Sequence, residues 1–290
     1  MFTEKQGLDV SLKVIDVPET AVSAFVKGGA SGGVDVMSFT IDMYAANYLE
    51  LKKAGLDTVA ILLTSWSNGG DAIAADAKIN KPEDLRGKKI ACAKVTPSHY
   101  FAIYILDKAN LKNSEVEWIF TQTAIDAANV FKAGKADACV SWAPDVYTAA
   151  KGRKGGHILS STKETRKLIG DIFVVRREFA EKYSDVLVRF CRGWLEGVTL
   201  AVSKPDEAAT YLAQALKPAG VDKNAASYLM SVVQFADKNE NMRFFEVDSS
   251  SAQDTYTGVY NSACRLWKKY GIVESFAPVE ETYIKTHLKK

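Results

Sequence analysis

Hydroxyl side chains gather in this chain where helices are about to begin. Thr96-Pro97-Ser98-His99 stands between Lys89-Ile90-Ala91-Cys92-Ala93, which reads as a buried strand, and an apolar stripe from Tyr100 that reads as a helix. The first amides of a helix have no intrahelical partner and lie at the positive end of its dipole. Thr96 and Ser98 could therefore cap the helix or join its N–H groups in holding an anion. Ser38 and Thr40, just before Ile41 and Asp42, repeat the pattern. An N-cap explains either turn alone, but the pair favours hydrogen bonding to an acidic group from two sides.

Two further turns carry aromatic and acidic groups. In Ser65-Trp66-Ser67-Asn68-Gly69-Gly70-Asp71 the glycines, Gly70 among them, let a backbone approach a ligand, and Trp66 could wall its apolar part. The alternative is a plain Asn-Gly-Gly turn. Trp142 and Asp145 flank Pro144, offering an aromatic face and a carboxylate to a carbon chain and a cationic end, or else a core residue and a helix cap. Asp171, with Arg166 upstream, precedes another strand. Catalysis has little to work with: the three histidines are His99, His157 and His287, and no GxSxG context accompanies His99, which reads as a ligand contact or a cap. No phosphate loop, dinucleotide fingerprint or metal-ligand spacing is present, so neither cofactor nor metal is expected.

The elements that must position these turns alternate. Strands are expected at residues 10–14, 34–37, 59–63, 90–93, 116–120, 138–141, 157–160 and 172–175. Helices are expected at 19–27, 41–54, 100–109 and 124–133, and a long helical half runs from about 179, broken near Pro205, Pro218 and Pro278. This is an α/β chain of two lobes, each a mainly parallel sheet flanked by helices. The patterns place lobe 1 at 1–76 and 176–290 and lobe 2 at 77–175, with hinges near 72–76 and 171–175. Open α/β sheets bind ligands beyond the carboxyl ends of their strands, where all four polar turns lie, so one interlobe cleft is expected.

Of 290 residues 47% are hydrophobic and 25% charged, a globular balance, and 37 Lys and Arg against 35 Asp and Glu leave no basic field to recommend nucleic acid as a partner. No run is long enough for a membrane span, and Met1-Phe2-Thr3-Glu4-Lys5-Gln6 does not carry the basic and apolar regions of a signal peptide. Cys92, Cys139, Cys191 and Cys264 are far apart, and small buried core residues are their expected role, with one long-range disulfide left open.

In order and spacing these segments resemble the periplasmic substrate-binding proteins of nitrate, sulfonate and taurine ABC importers. The resemblance rests on Gly7-Leu8-Asp9-Val10-Ser11-Leu12, Leu85-Arg86-Gly87-Lys88-Lys89-Ile90-Ala91, Val95-Thr96-Pro97-Ser98-His99, Phe131-Lys132-Ala133-Gly134-Lys135-Ala136-Asp137-Ala138 and Ser141-Trp142-Ala143-Pro144-Asp145. Ser65-Trp66-Ser67-Asn68-Gly69-Gly70-Asp71 and Asn241-Met242-Arg243-Phe244-Phe245 look like the branch fused to OmpA-like domains. The resemblance implies a type 2 periplasmic-binding-protein fold that closes on a small solute, a location outside the cytoplasm, an ABC permease and ATPase as partners, and a monomer. It also implies a strand, a turn and most of a helix ahead of the segment given, so that the N-terminal strand is missing. The residues suggest an anionic or zwitterionic solute: Ser38, Thr40, Thr96 and Ser98 toward its acidic end, Asp145, Asp42 or Asp171 toward an ammonium, Trp66 and Trp142 around its carbons, with Ser65, Gly70 and His99 completing the site. Two other classes are an envelope-associated sensory module and an enzyme like the thiamine-pyrimidine synthase on the same fold, whose cysteine-rich motif is absent.

Overall fold

The computed structural model describes residues 2–15, 17–245 and 254–289. After α1 (Phe2–Lys5) and α2 (Pro18–Lys27), β1 (Val36–Thr40) leads into α3 (Ile41–Lys53) and β2 (Thr58–Ser67). Then come β3 (Asp71–Ala75), β4 (Lys89–Ala93), α4 (Pro97–Lys108), β5 (Glu117–Thr121), α5 (Ala124–Lys132), β6 (Ala138–Trp142), α6 (Asp145–Gly152) and β7 (His157–Ser161). The strand β8 (Gly170–Arg176) opens the helical half: α7 (Arg177–Lys182), α8 (Ser184–Ser203), α9 (Pro205–Ala215), α10 (Lys223–Ser231), β9 (Val233–Phe235), α11 (Lys238–Phe245) and α12 (Tyr256–Lys269). Prolines stand in the first turns of α2, α4 and α9, where the missing N–H costs nothing.

Two sheets result, ordered β1-β8-β2-β9 and β5-β4-β6-β3-β7. The α/β class and two lobes stand as expected, but the mainly parallel pairing does not hold for lobe 1. There β8 returns from lobe 2 and enters between β1 and β2, antiparallel to both, and β9 is antiparallel to β2. In lobe 2, β4 is parallel to β5 and β6, the order that helical crossovers produce, while β3 pairs antiparallel with β6 and β7.

Sheet membership also moves the lobe boundary. β2 ends in the first sheet at Ser67 and β3 begins in the second at Asp71, so the outward crossing is residues 68–70, ahead of the expected boundary after 76. The return occupies 162–169, and the expected hinge segments 72–76 and 171–175 lie mostly within β3 and β8. Residues 64–67, expected in a turn, continue β2 because their hydroxyls find partners on neighbouring elements. Residues 10–14, expected as a strand, are irregular: no described strand pairs with them, and Val10, Leu12 and Val14 are exposed.

The first lobe has an aromatic core in which Tyr44, Tyr48, Trp66, Phe244, Phe245, Tyr256 and Tyr260 are buried. Trp66 needs the glycine beside it, since a Cβ on Gly170 would stand 2.7 Å from the indole Cζ3. Trp267 of α12 donates from Nε1 to the carbonyl of Asp42 at 3.0 Å, and its ring lies 5.5 Å from those of His99 and Tyr100. One indole thus ties α3 of the first lobe to α4 of the second. The four cysteines are unpaired, three of them buried, and no helix among the described residues is long and apolar enough to cross a membrane.

Candidate functional site

Three carboxylates lie within electrostatic reach of one another near the passage between the lobes. Asp42 lies in the first turn of α3, Asp171 near the start of β8, and Asp71 opens β3. Thr40 sits directly across the β1–β8 ladder from Asp171, so the two side chains share a face. Ser65 is the ladder partner of Asp171 on the other side and donates from Oγ to Asp171 Oδ2 at 3.0 Å. Asp71 accepts a 2.7 Å hydrogen bond from Ser67 Oγ.

Asp42 is only 1% exposed, and neither carboxylate oxygen has a hydrogen-bond partner. Burial raises its pKa to about 8; the neighbouring Thr40 hydroxyl and the backbone amide of Asp42 itself counter this in part, and the charges of Asp71 and Asp171 add to it. Burial, reinforced by the Asp71 charge and opposed by the Ser65 hydroxyl, raises Asp171 to about 7. Burial, opposed by Ser67, raises Asp71 to about 6. Among the described residues none of the three forms an ion pair with a lysine or arginine.

One residue that sequence reasoning passed over holds this arrangement in place. Thr162, fully buried just after β7, accepts at Oγ1 from the amides of Gly69 and Asp71 at 2.9 and 3.3 Å, and its hydroxyl shares a 2.7 Å hydrogen bond with Ser67. The outward and returning crossings are thereby joined. A hydroxyl residue directly after a strand was the available signal, though nothing in the sequence places position 162 against position 67.

The other expected residues divide clearly. Ser98 Oγ is buried in the first turn of α4 without a partner, and α4 packs on α3, β3 and β6. Thr40 Oγ1 is likewise buried and unpartnered. Thr96 spends its hydroxyl on the carbonyl of Ala93 at 2.8 Å, and Ser38 is exposed on β1. Trp66 is inside lobe 1, with its N–H donated to Glu240 Oε1 at 2.8 Å. Trp142, the ladder partner of Asp71, is partly buried, as are Gly70 and Asp145, whose pKa burial raises. His99 accepts the Val95 amide at Nδ1 and is packed edge-on against Trp118, Phe120 and Trp267. Burial, helped by the charge of Lys94, lowers its pKa to about 4, which keeps the ring neutral.

The architecture has recognisable relatives. The family description "NMT1/THI5 like" matches residues 2–208. The chain belongs to this family. A taurine-binding periplasmic protein of Escherichia coli strain K12 is 27% identical over 209 residues, 71% of this chain, and the match spans 61% of that protein's length. The solved periplasmic aliphatic sulphonate binding protein SsuA of Escherichia coli superposes with a TM-score of 0.71 at 18% identity, covering 95% of this chain and 87% of that one. The desulfurization enzyme DSZB also shares the fold, with a TM-score of 0.66 at 13% identity over 99% of this chain and 92% of its own. The family fold thus serves binding proteins and an enzyme.

Proposed function

We propose that this protein captures a small polar solute between its lobes and delivers it to an ABC permease and ATPase, acting as a monomer outside the cytoplasm. The observation that carries this reading is the set of buried polar groups left without partners on both sides of the lobe boundary: Asp42 and Thr40 from lobe 1, Ser98 from lobe 2. Buried polar groups are normally satisfied, and a deficit shared between two lobes is what a bound solute would fill. The taurine-binding relative supports a solute of that size and polarity. A solute touching both lobes would favour the closed arrangement by its extra contacts there.

Binding is favoured over turnover by the state of the reactive groups. The His99 ring is enclosed by aromatics, and burial pushes the thiols of Cys139 and Cys191 up to about 12. A thermal-shift screen of sulfonates, phosphonates, nitrate, amino acids and pyrimidines tests the reading, because a ligand that binds only the native state raises its melting temperature. We expect at least one class to stabilise the protein without being consumed. Stabilisation by none, or turnover of the binder, would overturn the proposal.

A further inference from the structure

Resting on the solute-binding reading, we propose that the cleft holds its solute by a cationic group, a protonated primary amine or an amidinium, seated among Asp42, Asp71 and Asp171. Three elements from two lobes bring these carboxylates within electrostatic reach of one another, and no lysine or arginine among the described residues pairs with any of them. A purely anionic solute would be repelled by each of these carboxylates in its ionised form.

A second, separate observation marks the spot as a binding position. Thr40, 8% exposed, shares the face of Asp171 across the β1–β8 ladder and lies beside Asp42, yet its Oγ1 has no partner. Both oxygens of Asp42 are open in the same way. A donor with several N–H groups would satisfy these acceptors together, and the ionised carboxylates would recover in attraction what burial costs them.

The spacing favours an organic cation over a metal ion. Among the described residues no group of three or more His, Cys, Asp or Glu is arranged tightly enough to hold a metal. An ammonium or amidinium works at hydrogen-bonding distances, and the amidinium spreads its donors across a plane. In the second lobe, the unpartnered Ser98 hydroxyl stands in the first turn of α4, where the helix dipole favours negative charge. Between an anionic and a zwitterionic solute, the cage selects the zwitterion, and it also accepts a simple cation.

Calorimetry on the full chain with matched pairs tests this: 2-aminoethanesulfonate against ethanesulfonate and against 2-hydroxyethanesulfonate, and a series of primary amines and amidines against their hydroxyl or methyl counterparts. We expect every binder to carry the cation and its matched analogue to bind at least about 10-fold more weakly. Asp171→Asn and Asp42→Asn, each checked for native near-ultraviolet circular dichroism, should weaken the amine by at least about 10-fold. Equal affinity of an amine and its uncharged analogue, or binding by anions alone, overturns the cation assignment while leaving solute capture intact. Binding by no compound of any charge overturns both.

Discussion

Ser67 and Thr162 share a hydrogen bond 2.7 Å long that joins the end of β2, where the chain leaves the first lobe, to the segment after β7, where it turns back. The two residues are 95 positions apart and both are buried. The same threonine oxygen receives the amides of Gly69 and Asp71, so a single hydroxyl fixes both crossings and sets the Asp71 backbone.

Thr162→Val keeps the volume and removes the acceptor, which leaves buried N–H groups unsatisfied. Stability should fall by about 1–3 kcal/mol in urea unfolding. Small-angle scattering of the variant should also show a wider spread of lobe arrangements than the parent. Unchanged stability would mean that the crossings are held by strand pairing alone.

The three raised carboxylates make an alkaline prediction. Each keeps its proton in the folded protein at a pH where the unfolded chain, with carboxylates near pH 4, has lost it. Their contribution to stability is complete below about pH 4 and is lost as pH rises through the folded values of about 6, 7 and 8. His99 and His287, whose pKa values burial lowers, act in the opposite sense, their contribution rising with pH until about 6.5, the unfolded value. Between about pH 6.5 and 8.5 the solute-free protein should therefore lose at least about 1 kcal/mol. Asp42→Asn should flatten that slope and raise the unfolding midpoint at pH 8.5, even as it impairs binding. Urea midpoints at constant ionic strength give the test, and a pH-independent parent would refute it.

Thr96 and Ser98 stand two residues apart and should fail differently. Thr96→Ala removes a buried hydrogen bond to Ala93, costing about 0.5–1.5 kcal/mol of stability with little effect on affinity. Ser98→Ala removes a hydroxyl that bonds nothing in the solute-free protein, so it should leave the melting temperature nearly unchanged and weaken 2-aminoethanesulfonate several-fold in calorimetry. The reverse pattern would place the ligand at Thr96.

Much of the fold was legible because local periodicity encodes it. The apolar runs at 90–93 and 138–141 and the helix over 100–108 are where their patterns put them. The pattern failed at residues 10–14, whose alternation asks for a pairing partner that no described strand supplies. It failed again at 64–67, where Thr, Ser and Ser look like a turn in sequence. They lie buried in a strand because Asp171, Asp71 and Thr162 take up their hydroxyls. Trp66 shows the same limit from the other side: a tryptophan in a polar stretch reads as a ligand wall, and it is a core residue closed over by Gly170 and Phe244.

By itself the sequence determined the two-lobed α/β order, the polar turns at the strand ends and Asp42, Ser98 and Asp171 as candidates, since each depends on neighbours within a few residues. Only the tertiary structure decided which hydroxyls are spent and which are open, and that Asp71 joins Asp42 and Asp171. Hydrogen-bond satisfaction and the desolvation of a carboxylate are set by groups that approach from 95 to 106 residues away, through β8, β3 and the segment after β7, and no local pattern records them.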